Sequence, residues 1–245
     1  MSLYSTTILS DAPVAYWRLG ERGGAGSALD SSGNAHAATY SGAMTLGMAG
    51  AIAGDNDAAM QLSGGYVSCG SGGAFSFVSG DFSLEAWVFP TDTAGFSAIL
   101  NRGDGASNAA SQYELINSLA DGHFTFDVFQ GAARNTVTAP STHATGQWYH
   151  VVGTRAASSG VNTLYVNGVA VATQTYPGAL NAVSPNLALG AAGSGAIPLS
   201  GLLDEAAIYA RALSAARVRA HYLAALTHGA CAPLIGPSVI IRRSR

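Results

Sequence analysis

Thr163-Leu164-Tyr165-Val166-Asn167-Gly168-Val169-Ala170-Val171 is the stretch on which the fold turns. Asn-Gly stands between two arms rich in β-branched and aromatic residues. A two-residue hairpin turn needs φ > 0 at both central positions, which Asn and Gly tolerate best, so the stretch reads as two antiparallel strands. The same two-residue period appears on either side. Asp81-Phe82-Ser83-Leu84-Glu85-Ala86-Trp87-Val88-Phe89 alternates and then meets Pro90, and Gly122 to Phe129 alternates before Gly131. Further short strands are expected at Val14–Leu19, Met60–Cys69, Ala98–Asn101, Gln147–Arg155, Asn186–Leu189 and Leu202–Tyr209. Many short strands separated by Gly, Ser and Asn turns predict an all-β antiparallel sandwich or jelly roll.

Composition narrows the class further. Charged residues make up 10% of the 245, against roughly 25% in ordinary globular chains, and all 11 basic residues are Arg. With 14 acidic residues the net charge is −3, so no basic face for nucleic acid is expected. No apolar run approaches the roughly 18 residues of a membrane span, and membrane insertion is not expected. The opening Met1-Ser2-Leu3-Tyr4-Ser5 has neither the basic nor the apolar region of a secretory signal. Cys69 and Cys231 lack metal-ligand spacing and are expected as free thiols, with a bridge pinning the arm to the sandwich in an oxidising location as the alternative.

One helix is expected over Leu213 to Tyr222, Ala-rich and capped by Ser214, with Val218, Tyr222, Leu223 and Leu226 on one face. Beyond it the character changes. Residues 1–226 read as one domain and residues 227–245 as a C-terminal arm, with Val239-Ile240-Ile241 followed by Arg242, Arg243 and Arg245. An extended apolar segment of that kind suits addition to a sheet edge, so the arm is the expected contact to a self-assembly or virion partner.

Six segments in one order carry a family resemblance. They are Tyr16-Trp17-Arg18-Leu19-Gly20-Glu21, Asp30-Ser31-Ser32-Gly33-Asn34, Phe82 to Val88, Trp148-Tyr149-His150-Val151-Val152, Leu164 to Gly168, and Gly201 to Ser214. The chain resembles the laminin-G-like jelly-roll domains of the concanavalin A-like lectin/glucanase superfamily, from about Tyr4 to Leu226. The resemblance implies two packed antiparallel sheets with adjacent first and last strands, a role in binding glycans or proteins, and in many members a structural Ca²⁺. Similar domains usually carry Glu where Arg217 stands, so this helix lacks the reciprocal half of a capping box.

The chemistry-bearing residues are few. Glycosidases on this fold set two carboxylates on one strand face, whereas the four Glu here (Glu21, Glu85, Glu114 and Glu205) include no such pair, and Asp204 and Glu205 as strand neighbours should face opposite ways. The six His are scattered, with His150 read as structural, and no nucleophile elbow or phosphate loop is present. No catalysis is expected. Arg102-Gly103-Asp104 spells an integrin-type tripeptide but reads as an ordinary loop. Asp30 and Asn34 sit in a loop of the kind that supplies oxygens to Ca²⁺, and antiparallel pairing of the end strands would bring Glu21 and Asp204 to the same end. Asp30 closing an Asx turn with Ser32 is an equal reading. Trp17, Trp87 and Trp148 read as core, while Tyr113, Phe129 and Tyr176 border loops and are the candidates for stacking on a sugar.

The expected function is a non-catalytic binding or structural module. A bacteriophage virion surface protein, either capsid decoration or tail component, with adhesion to a host-surface polysaccharide, is the first reading. A bacterial cell-surface or secreted lectin-like module is the alternative.

Overall fold

The computed structural model describes residues 2–93, 95–119 and 121–227. The chain opens with helix α1 (Leu3–Leu9), then β1 (Ala15–Trp17), β2 (Ser27–Ala28), β3 (Ala38–Ser41), β4 (Met44–Ala49), β5 (Ala58–Ser63) and β6 (Tyr66–Gly70). The middle holds β7 (Phe82–Pro90), β8 (Phe96–Arg102), β9 (Tyr113–Leu119), β10 (Thr125–Gln130) and β11 (Ala133–Thr138). It closes with β12 (Tyr149–Ala156), β13 (Val161–Val166), β14 (Val169–Thr175), β15 (Leu187–Leu189), β16 (Ser200–Tyr209) and helix α2 (Ala215–Leu226). One sheet runs β14-β13-β12-β7-β16-β5-β4 with β1 also on β16, and the other β11-β10-β9-β8-β15-β6-β3-β2. All pairings are antiparallel, and the chain is a jelly-roll sandwich.

Alternation builds the core between the sheets. Phe82, Leu84, Ala86 and Val88 of β7 face Leu115, Phe126 and Val128 of the second sheet within one apolar cluster. Full burial of each large side chain is worth about 1.5–3 kcal/mol. The other face of β7, with Ser83, Glu85 and Trp87, is also buried, because α1 and α2 cover it with Tyr4, Ile8, Val218 and Ala225. The first sheet is therefore buried on both faces at its central strand β7.

Local rules explain the main turns. The hairpin β13–β14 pairs Val166 with Val169 across Asn167 (φ 51°) and Gly168 (φ 75°), as its dipeptide requires. Met60–Cys69, expected as one strand, is two strands in different sheets. Gly64 takes φ 93°, and a Cβ on Gly65 would stand 2.6 Å from the Ala43 carbonyl, so the pair forms a corner at which the chain changes sheet.

The two ends meet as the resemblance implies. β1 pairs with β16, Ala15 opposite Ile208 and Trp17 opposite Ala206. Ser214 caps α2 by accepting from the Arg217 N–H at 3.3 Å, and the Arg217 side chain crosses to α1's end, its Nε 2.6 Å from Asp11 Oδ2. Helix α1 is an element the sequence reading did not name; the Ser2 cap and the burial of Tyr4 and Ile8 outweigh the β preference of Thr6, Thr7 and Ile8. Cys69 is a buried free thiol, while Cys231 and residues 228–245 of the arm lie outside the described residues. Among the described residues no helix is long and apolar enough to cross a membrane.

Candidate functional site

Two places on the sandwich gather more carboxylates than their surroundings neutralise. The first lies where β1, β16 and the 49–57 loop meet. Between Asp204 and Ala207 the register of β16 against β7 shifts, and Glu205 adopts φ 53°. This bulge re-aims Glu205, so the expectation that neighbours in a strand must diverge fails here. Asp57, Asp204 and Glu205 each offer a carboxylate oxygen, all within 4.8 Å of one another. Arg18 is the guanidinium among them, with Nη2 2.9 Å from Glu205 and 2.6 Å from Asp55, and Nε 2.9 Å from Asp57.

Four carboxylates thus share one cation. Asp204 is fully buried; its Oδ2 accepts from the Ala51 N–H at 2.8 Å, while Oδ1 has no hydrogen-bond partner. Burial, with Glu205 beside it, pushes Asp204 well above the usual carboxylate range. Burial likewise raises Glu205 to about 7, although Arg18 opposes the shift. An open cleft of about 730 Å³, lined by Gly20, Gly50, Asp55 and Asp57 among others, leads to this cluster. A Cβ on Gly20 would meet Asp57 Oδ1 at 1.8 Å, so only glycine leaves room for that carboxylate.

Of the four residues expected to bind metal, Asp204 alone belongs to this cluster. Asp30 is spent on the 30–36 turn, its carboxylate accepting from the N–H groups of Tyr16 (3.0 Å), Ser32 (2.8 Å) and His36 (2.9 Å) and from the Ser32 hydroxyl (2.8 Å). Burial alone would raise its pKa, yet these donors hold it below the usual value. The Asn34 amide donates to the Pro13 and Val14 carbonyls, and Glu21 accepts from Leu29 N–H and Tyr40 Oη. Asp57 and Glu205 were missed, although Asp55-Asn56-Asp57 is an acidic run in a weakly charged neighbourhood.

The second place is the outer face of the other sheet. Glu114 on β9 lies between the inward-facing Tyr113 and Leu115, and Asp127 on β10 between Phe126 and Val128, so both carboxylates point away from the core. The register sets them directly opposite each other, with Asn101 of β8 opposite Glu114 on the other side. Arg134 Nη2 reaches Glu114 Oε1 at 2.9 Å and Asp127 Oδ2 at 2.6 Å. Asn101 donates to Glu114, and Thr125 Oγ1 to Asp127 at 3.0 Å. Burial, reinforced by Asp127, raises Glu114 to about 8, and burial also raises Asp127 against the pull of Arg134. Burial therefore favours the protonated form of Glu114 at neutral pH.

Above this pair lies a cleft of about 160 Å³ whose lining includes Phe96, Ser107, Asn108, Glu114, Phe129 and Arg134. The Arg134 guanidinium stands 4.7 Å over the Phe96 ring. The 103–111 loop forms the rim and is pre-built: Asp104 accepts from the Ala106 and Ser107 N–H groups at 2.9 and 2.8 Å, and Asn108 donates to the Ala132 carbonyl at 3.1 Å.

The aromatic candidates divide. Tyr113 is a correction: its ring is fully buried against Phe77 and Phe82 and its hydroxyl donates to the Phe75 carbonyl at 2.8 Å, so no sugar reaches it. Phe129 is almost fully buried yet walls the cleft. Tyr176 is half-buried at the sandwich edge, donating to the Thr136 carbonyl at 2.8 Å. Arg102 is 1% exposed, which removes the integrin-type reading of its tripeptide.

Sheet order and the pairing of the end strands define a jelly-roll sandwich. A family model described as the concanavalin A-like lectin/glucanases superfamily, of laminin G type, matches residues 62–219, and the chain belongs to that family. No curated protein matches the chain in sequence. Among solved structures it is similar to domain 4 of AbnA, an extracellular arabinanase from Geobacillus stearothermophilus, in complex with arabinotriose, with 22% identity, a TM-score of 0.63 and coverage of 86% of this chain and 98% of that one. It is also similar to the binding domain of Paraclostridial Mosquitocidal Protein 1 (17% identity, TM-score 0.65, 87% and 52% coverage). A third likeness is the binding domain of botulinum neurotoxin DC in complex with SialylT (12% identity, TM-score 0.61, 88% and 52% coverage). The chain spans about half the length of the two toxin binding domains.

Proposed function

We propose that the chain is a non-catalytic glycan-binding module whose ligand seat is the outer-face cleft at Glu114, Asp127 and Arg134. The observation that carries this is the tie between the two carboxyls: one guanidinium nitrogen contacts both. A retaining glycosidase needs its carboxyls about 5–5.5 Å apart and an inverting one about 6.5–9.5 Å, each free to act separately. Two carboxyls clamped together by one guanidinium suit recognition. The neighbour that holds arabinotriose supports the reading at the level of ligand class.

A Ca²⁺ ion belongs to the same proposal. The donors fit it: they are all oxygen, they outnumber their cation, and the buried Asp204 Oδ1 lacks a partner. Asp57, Asp204 and Glu205 would hold the ion, which would neutralise the surplus charge and tie the 49–57 loop to β16.

The virion surface is one setting for such a module, and a cell surface another; assembly through residues 227–245 remains a separate proposal, tested by whether deleting 236–245 weakens particle attachment. Glycan-array binding by the whole chain, with no reducing ends released on long incubation with the bound glycans, is the expected result. Released sugar would refute the non-catalytic reading, and an array without binding would refute the glycan one.

A further inference from the structure

This inference rests on the glycan-binding reading and specifies its ligand. From the cleft's charge and shape, we infer that it takes a single neutral sugar ring carrying adjacent hydroxyls and rejects acidic sugars. Three observations on the page lead there.

The first is size. A volume of about 160 Å³ lies well below the roughly 300–1,000 Å³ of pockets that swallow a drug-sized ligand, so one ring of a longer chain fills it. The second is the wall. Phe129, 2% exposed, and Phe96, beneath the Arg134 guanidinium, make the apolar part of the lining, while Ser107, Asn108 and Glu114 add polar groups, a mixture that suits a sugar ring with its C–H face and its hydroxyls.

The third observation is the direction of the arginine. An acidic sugar would need a guanidinium fork free to grip its carboxylate. Arg134 is already engaged on one side: its Nη2 contacts both Glu114 and Asp127. A ligand carboxylate would have to compete with two protein carboxyls for that one cation. The groups facing Glu114 are Asp127 from β10, Arg134 from β11 and the neutral Asn101 from β8. With Glu114 protonated, the Arg134 guanidinium is left to offset Asp127, which suits a neutral ring. Removing that proton adds a negative charge at the floor. Because the Glu114 carboxyl is raised to about 8, the loss falls between pH 7 and pH 9.

Calorimetry on the full chain tests this with two sets of probes: neutral arabino-, gluco-, galacto- and manno-trisaccharides, and acidic sialyllactose and glucuronate-containing disaccharides. Neutral probes should bind and acidic ones should not. Affinity for the neutral probe should fall roughly tenfold from pH 7 to pH 9, as expected for ionisation near 8. Glu114→Gln, which fixes the neutral state, should weaken binding at pH 7 by less than tenfold and lose the pH dependence. Phe129→Ala removes the wall and should cost more than tenfold, with folding checked by the melting transition. Tighter binding of the acidic probes, or a Glu114→Gln protein that keeps the wild-type pH profile, overturns the inference while leaving the glycan-binding reading intact. Binding by neither set refutes that reading itself.

Discussion

Glu85 and Glu114 stand on opposite outer faces of one sandwich, both buried, yet their surroundings differ in sign. Glu85, under the helices, accepts from Tyr4 Oη (3.1 Å), Tyr209 Oη (2.8 Å), His150 Nε2 (2.7 Å) and His221 Nδ1 (3.0 Å). His221 Nε2 turns to Asp11 at 2.8 Å, so both ring nitrogens meet carboxylates and the imidazole carries both protons. Burial alone would raise the Glu85 carboxyl, but His221 and His150 hold it well below the usual range. Donors are in surplus there, and the result is a lock. Around Glu114 acceptors are in surplus, a proton fills the gap, and a cleft opens above. A buried carboxylate with enough donors fastens elements together, and one with too few is where a ligand or cation has something to add.

The largest expected effect breaks the lock. Glu85→Ala leaves His221 Nδ1 and two tyrosine hydroxyls buried without their acceptor and should cost about 3–5 kcal/mol, read by urea denaturation, or prevent folding. Glu205→Gln, from the acceptor-rich cluster, should cost far less. Similar losses at the two positions would dissolve the comparison.

The next effect comes from the cluster's titration. Glu205 is raised from 4.5 to about 7, so the folded state binds its proton more tightly than the unfolded one. In chelator, stability should therefore decline as pH rises from about 4.5 to 7, by up to about 3 kcal/mol for a shift of this size. His221, also raised, adds stability that is present below 6.5 and fades as pH climbs through its folded value. Glu85 and Asp11, both lowered, act oppositely, their contribution being lost as pH falls below the usual carboxylate range. Ca²⁺ at a hundred times its Kd should add about 2.7 kcal/mol at pH 7, raising the melting temperature by roughly 5–10 °C. Asp204→Asn should remove the Ca²⁺ response; a variant that keeps it would place the ion elsewhere.

The smallest effect concerns Arg217. Glu at this position would complete a capping box with Ser214, but here it would lose the contact to Asp11 and repel it. Arg217→Glu should therefore destabilise by about 0.5–1 kcal/mol, the scale of a partly exposed ion pair. A gain in stability would show that capping outweighs the cross-helix contact.

The fold was legible because its signals are local. Asn167-Gly168 dictates its own turn, and the alternation along Phe82–Phe89 and Phe124–Phe129 names the faces of two central strands. The sites were not legible, since each depends on register. Glu114 and Asp127 meet only because β9 and β10 pair as they do, and a one-residue slip would send one of them into the core. Glu205 joins Asp204 through a bulge that no side-chain pattern announces. Asp30 shows the converse: a carboxylate with metal-like spacing can be used up by the backbone of its own turn.

The most direct test of the central claim is amide chemical-shift mapping of the ¹⁵N-labelled chain during titration with the neutral trisaccharide that binds it most tightly. Shifts concentrated in residues 103–111, 114 and 127–134, with Glu85, His150 and His221 unmoved, are the result expected here. Shifts centred on the helix-covered face, or on the 49–57 loop, would contradict it.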